Sequence, residues 1–322
     1  MHSFARSFIP QQGQRFDLII VDIDGARPFR FRNIMRPSSI LSLLLPALVA
    51  LLTLLPARAA EVTRPEELLQ QAQKTWTNGN RAEAIAMVSQ VLLADPKHLN
   101  ALALRGRYYY ELHQDAKALA DFDAVIALDP RAPILYQHRG WCRFRLGKFD
   151  DAIADFDTFI RLVPAEEPQH WQRGIVYYYA KRFADGKKQF ELHQTVNPHD
   201  VENAVWHFLC TARLSGLEAA RASLIPITGD ARVPMAQVQS LFAGKATPQD
   251  VLKAAEAGEP KTPRREGQLF YAHLYLGLYY EAIGEDLKCR EHIQKAVTQF
   301  PSDSPMGDVA RVHAQVLKRR SK

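Results

Sequence analysis

The chain has 322 residues, 47% of them hydrophobic and 24% charged, which excludes a disordered chain and leaves room for a packed array. Its formal charge is +6, but residues 1–59 hold seven arginines against three aspartates and so carry +4 of it. The +2 left over 60–322 is too weak for the basic footprint of a nucleic-acid binder.

The N-terminal stretch divides at Met35. After it come a positive residue, Arg36, an apolar run over 40–55 and the small-x-small sequence Ala57-Arg58-Ala59. This predicts a signal peptide over 35–59, cut before Ala60, and a periplasmic or secreted mature protein. The run is short for a membrane span and contains Pro46, so cleavage rather than a stable membrane anchor is expected. No cysteine lies near the cut, so no lipid is expected there. Residues 1–34 then read as an extension from a start codon set too early. Within them 16–25 reads FDLIIVDIDG, which resembles the strand and DxD loop of haloacid dehalogenase-type phosphatases. That resemblance would make Asp22 the nucleophile and Asp24 the acid. The fold also needs alternating strands and helices and further acids for magnesium, which nothing downstream supplies; a chance match in a discarded leader is the reading adopted.

From residue 65 a period takes over. Pro96, Pro130, Pro164 and Pro198 stand 34 residues apart, and Gly106, Gly140 and Gly174 keep phase with them. So do Phe122, Phe156 and Phe190, and Ala84, Ala118 and Ala152. A helix pair repeated at 34 residues is the signature of a tetratricopeptide repeat solenoid. The glycine lets the two helices of a unit approach closely. The phenylalanine fills the space between successive units, and the proline ends the second helix. Four units are predicted: 65–98, 99–132, 133–166 and 167–200. The first is degenerate, with Ala72 in the glycine place and Val88 in the phenylalanine place. Thr63 is its expected N-cap.

Over 201–269 the pattern stays helical but loses the motif. A helix is expected from Val201 to a stop at Gly216, a shorter one over 217–225, a third over 234–242, and a fourth opened by Thr247-Pro248. Residues 259–265 are predicted to be a loop. The full pattern returns over 270–303, with Leu276, Gly277, Tyr280, Ile293, Ala296 and Pro301. Residues 304–322 form a final amphipathic helix with a basic tail, expected to cap the solenoid. The predicted fold class is all-α, a helix-turn-helix solenoid with degenerate middle repeats and a capping helix.

The order of elements over roughly 65–300, strongest in FYAHLYLGLYYEAIGE (270–285), resembles the envelope lipoprotein family called new lipoprotein I. The resemblance implies a non-enzymatic adaptor that brings peptidoglycan hydrolases to an envelope protease. The chain departs from that family in lacking a lipid-attachment cysteine.

No catalytic set emerges. The eleven histidines have no metal-ligand spacing, no G-x-S-x-G elbow occurs, and no cofactor is called for. Cys142, Cys210 and Cys289 read as small buried hydrophobes. The informative residues lie on the first helix of each unit, at the phases that face inward. They are Arg107, Tyr110 and Glu111 in the second unit, Gln137, Trp141, Phe144 and Arg145 in the third, and Trp171, Tyr178 and Tyr179 in the fourth. Aromatic residues with interspersed arginine suit partner recognition. Two readings stand open: an open groove that takes a peptide or helix, or aromatics covered by C-terminal helices curling back. Self-association through uncapped solenoid ends is the alternative role.

Overall fold

The computed structural model describes residues 64–259 and 261–320. These form 14 α-helices and, among the described residues, no strand. The expected signal peptide, the extension with Asp22 and Asp24, and Thr63 lie outside the described residues. Among the described residues no helix is long and apolar enough to cross a membrane.

The helices come in antiparallel pairs: α1 (Pro65–Thr77) with α2 (Arg81–Ala94), α3 (Leu99–Glu111) with α4 (Asp115–Leu128), α5 (Pro133–Arg145) with α6 (Phe149–Leu162), and α7 (Trp171–Tyr179) with α8 (Phe183–Gln194). Their close approach is explained by the in-phase glycines. A methyl group on Gly106, Gly140 or Gly174 would lie 2.8, 2.6 or 2.7 Å from the ring of Phe122, Phe156 or Phe190. Each phenylalanine therefore packs on the bare backbone of its own unit and also faces a ring in the helices that follow, Phe122 with His138, Phe156 with His170 and Phe190 with Trp206. Phe156 lies 4.6 Å, centre to centre, from the ring of His170.

A second in-phase device is ionic. Arg105, Arg139 and Arg173 each reach a polar side chain 16 residues on: Asp121, Asp155 and Gln189. Arg139 and Arg173 also reach back to Asp123 and Asp157 of the preceding unit. The guanidinium fork serves two acceptors at once, so each arginine ties one unit to the next.

The fourth unit opens differently. A 3-10 turn, Pro164–Glu166, follows α6, and the His170 side chain accepts from the Arg173 amide. That cap starts α7 at Trp171 and leaves it nine residues long.

Five further helices complete the chain up to a last one: α9 (Val201–Ala222), α10 (Met235–Phe242), α11 (Pro248–Ala255), α12 (Pro263–Ala282) and α13 (Asp286–Thr298). The last is α14 (Pro305–Arg320). Within α9, Gly216 has φ 87° and ψ 170°, so the helix breaks there, as a glycine without a Cβ can. Thr247 and Asp250 form a reciprocal cap on α11. The loop expected over 259–265 is shorter than predicted. Thr262 accepts from the Arg265 amide with Pro263 in the first helical position, so α12 begins seven residues before Phe270.

Two apolar cores divide at α5. Leu135 and Cys142 join the first, built from α1 to α5. Trp141 and Phe144, on the other side of the same helix, join the second, which runs to α14.

Candidate partner-binding groove

The ten first-helix residues expected to line a groove fall into two sets. Arg107, Tyr110, Gln137 and Trp171 are half-buried and Glu111 is exposed. Trp141, Phe144, Arg145, Tyr178 and Tyr179 are buried; Trp141 is 3% exposed and Phe144 fully enclosed. Trp141, Arg145, Tyr178 and Tyr179 of the second set meet side chains of α12 or α14, while Phe144 packs among Trp141, Phe149 and Tyr179. Of the two readings left open by the sequence, these four residues follow the one in which C-terminal helices curl back.

Helix α14 runs across the C-terminal ends of the first helices. Asp308 in its first turn accepts from Trp141 Nε1 at 2.8 Å and lies 3.4 Å from Arg145 Nη1. His113, in the turn after α3, places Nδ1 3.3 Å from the same carboxylate. Arg311 from α14 itself adds a contact at 2.7 Å. Five residues after Asp308, His313 Nδ1 lies 3.0 Å from the Tyr179 hydroxyl. At the far end, Arg320 donates to Glu281 of α12 at 2.6 Å, and Arg319 lies against the Gly147 turn after α5. The basic end of α14 thus meets the negative ends of other helices, where cations are stabilised.

The charges are arranged in two hubs. Arg145 is paired with Asp115 as well as Asp308, and also lies 4.5 Å over the ring of Tyr110. Burial works to lower its pKa, but Asp308, Tyr110 and Asp115 outweigh it and raise it, so the guanidinium stays charged. Glu281 is the second hub. Tyr178 donates to it at 2.6 Å, Arg213 lies at 3.0 Å, and His313 at 3.9 Å. Burial works to raise its pKa, yet His313, Tyr178, Arg213 and Arg320 together hold the carboxyl below its ordinary value. Burial lowers the pKa of His313 and raises those of Tyr178 and Tyr179 well above the phenol range.

The accessible set forms a continuation toward the N-terminal units. Trp76 Nε1 donates to Glu111 at 2.9 Å, and Arg107 lies 3.4 Å from the same carboxylate. Tyr110 packs its ring 4.8 Å from His138. Gln137 is hydrogen-bonded to His170, and Trp171 meets Trp141 edge-on at 6.0 Å.

Other features are structural in their geometry. Cys142, Cys210 and Cys289 are free and buried. Burial pushes the Cys289 thiol up to about 12, so its 3.8 Å approach to His313 Nε2 does not make a nucleophile. Among the described residues no group of three or more His, Cys, Asp or Glu is placed to hold a metal ion. A cleft of about 530 Å³ opens between α13 and α14, lined by residues such as Arg290, Glu291, Gln294 and Gln315, and it is separate from the aromatic groove.

Sequence reasoning did not single out Asp308, His313 or Glu281. A signal was present. Asp308 and His313 sit on the apolar stripe of α14 with Val309, Val312 and Val316, and Glu281 stands four residues after the packing Gly277. A charge at an apolar-phase position implies a partner elsewhere in the fold.

Two profiles described as tetratricopeptide repeat match the chain, over 69–133 and 113–173. No curated protein matches it. Among solved structures, a tetratricopeptide repeat protein from Parabacteroides merdae ATCC 43184 superimposes with a TM-score of 0.53 at 14% identity, covering 79% of this chain and 98% of that one. The MamA protein superimposes with a TM-score of 0.46 at 19% identity, covering 48% and 85%. PilW, described as a widely conserved type IV pilus biogenesis factor, does so with a TM-score of 0.41 at 16% identity, covering 76% and 97%.

Proposed function

We propose that this chain, which carries tetratricopeptide repeats in an all-helical repeat fold, is a protein-interaction adaptor of the bacterial cell envelope with no enzymatic activity of its own. Proteins built on these repeats are in general scaffolds that bind other proteins. The observation that carries the reading is the accessible row Arg107, Tyr110, Glu111, Gln137 and Trp171 on one side of three successive first helices. A partner segment laid there meets two aromatic rings and both signs of charge, a composition typical of interface anchors. The leader over 35–59 would export the chain, and the resemblance to new lipoprotein I favours peptidoglycan hydrolases or an envelope protease as partners.

Crosslinked capture from envelope extract, read by mass spectrometry, tests the proposal. Envelope proteins should be recovered with the wild-type chain and lost with the pair Arg107→Glu and Trp171→Ala. Equal recovery with that variant would move the site off the groove. Detection of Ala60 as the mature N-terminus would support export.

Self-association is a second reading. Leu93 in α2 and Leu287 in α13 are 84% and 85% exposed, one in the first helix pair and one in the last. Light scattering of the purified chain separates a monomeric adaptor from an end-to-end assembly.

A further inference from the structure

The geometry points to α14 as a resident stand-in for a partner's helix, so that the groove recognises an amphipathic helix bearing a carboxylate in its first turn. This rests on the adaptor reading. Three of the four groups around the Asp308 carboxylate come from the repeat array and not from α14: Trp141 Nε1, Arg145 Nη1 and His113 Nδ1. Arg145 is itself buried, and its second partner, Asp115, lies in the array. The pocket is therefore assembled by the repeats, and α14 delivers the ligand to it. A pair of this kind is strongly coupled, because removing the carboxylate leaves a buried guanidinium short of one partner.

The chemistry of the occupant is read from α14. It offers a carboxylate at its start, valines at positions 309, 312 and 316, and cations at its end. A polar group inserted five residues on, His313, meets the Tyr179 hydroxyl. Six residues, 299–304, separate α13 from α14; residues 301 and 303 among them are exposed, while Phe300 stacks on His273 and the Ser302 carbonyl accepts from Arg311.

The aromatic floor fixes how such an exchange must run. Lifting α14 alone would take Asp308 from Trp141 and His313 from Tyr179 and open both rings to water. Replacement by an incoming helix keeps them covered. The array would then swap one helix for another, and partner binding would be limited by competition with α14. The tether gives the resident helix an effective concentration in the millimolar range, so a free helix of identical sequence competes poorly until the resident contact is weakened.

The experiment is a titration by fluorescence anisotropy of a labelled peptide with the sequence of residues 302–320 onto the full chain. Weak binding to the wild-type chain is expected, with binding at least tenfold tighter to the full chain carrying Asp308→Asn. The same peptide carrying Asp308→Asn should lose that gain. Equal affinity of the two peptides for either chain would overturn the inference. Should the Asp308→Asn chain fail to fold, the wild-type chain decides. A peptide with a photoreactive group in place of Val309 should crosslink to α5 and α7, and much less when its aspartate is changed to asparagine. Crosslinks elsewhere, or crosslinks indifferent to the aspartate, count against it. In the capture experiment, envelope partners that survive excess peptide would sink this inference and leave the adaptor reading standing, whereas no captured partner at all would sink both.

Discussion

Tyr178 and Glu281 meet across 103 positions of sequence, the phenol donating to the carboxylate at 2.6 Å with both side chains buried. The contact joins α7 to α12, and through Glu281 to Arg213 and Arg320. Tyr178→Phe removes one donor from a carboxylate that keeps two arginines, so it should cost about 1–2 kcal/mol. Glu281→Leu leaves Arg213, Tyr178 and His313 without their shared acceptor and should cost about 3–5 kcal/mol. Urea unfolding of both variants checks this order. Equal losses would show that Glu281 is not the centre of the hub.

Gly140 faces the Phe156 ring so closely that a methyl group would lie 2.6 Å from it. Gly140→Ala should therefore destabilise the chain by about 1–3 kcal/mol, although alanine is the better helix former. Adding Phe156→Leu should cost less in that background than in the wild type, because the two sites share one space. Additive losses in thermal melts would disprove the close approach. Gly307 is tighter still: a methyl group there would fall 1.9 Å from the Ser302 carbonyl oxygen, so Gly307→Ala should displace the first turn of α14.

Acid should unfold this protein early. Burial, as the leading cause, holds His138 and His273 down to about 4 and His170 to about 3. It also lowers His193, His207, His292 and His313. An unfolded histidine titrates near 6.5, so below that pH the unfolded chain binds protons that the folded chain refuses. The histidine contribution is then full above pH 6.5 and falls as pH drops toward about 4, or toward about 3 for the enclosed His170, by roughly 1.4 kcal/mol per unit for such a residue. Glu202 works in the opposite sense. Burial holds it up to about 7, so its contribution is lost as pH rises through that value. Melting temperatures at pH 7.5, 6.0 and 5.0 should fall in that order, and less steeply in His170→Gln. A flat profile would show the histidines to be hydrated.

Arg139 carries the inter-unit ladder at its centre, with Asp155 at 2.6 Å and Asp123 at 2.7 Å. Arg139→Leu leaves the buried Asp155 with Arg143 alone and should cost about 3 kcal/mol. Arg139→Lys should recover only part, since an ammonium cannot fork between two carboxylates. The loss should change little between low and high salt, because the Asp155 side chain is 3% exposed and poorly screened. Strong salt dependence in chemical denaturation would place the pair at the surface.

The paired helices of the array were legible because their cause is local and recurs. Glycine, phenylalanine and proline return at a fixed period, and one unit explains the next. The return of α14 has no such period. It rests on single matches such as Asp308 with Trp141, His313 with Tyr179 and Arg320 with Glu281, each over more than 35 positions. Aromatic residues at the inward phases look the same whether they wait for a partner or are already covered. The difference lay in the polar residues of α14, which sit where its apolar face should be unbroken. For the same reason the pair Trp141→Ala and Tyr178→Ala, attractive as a test of an open groove, would instead remove two core side chains at about 3–5 kcal/mol each.

Repeat arrays can ordinarily lengthen or shorten by whole units, since each unit touches only its neighbours. Here that freedom is unequal along the chain. A duplicated 34-residue unit placed before α1 would leave every contact of α14 in place. The same unit inserted between α6 and α7 would carry α14 one step further from α5, taking Asp308 away from Trp141 and Arg145. The turning back of one short helix thus acts as a counting device: it ties the number of helices between α5 and α14 to a single value and leaves the N-terminal end free to vary.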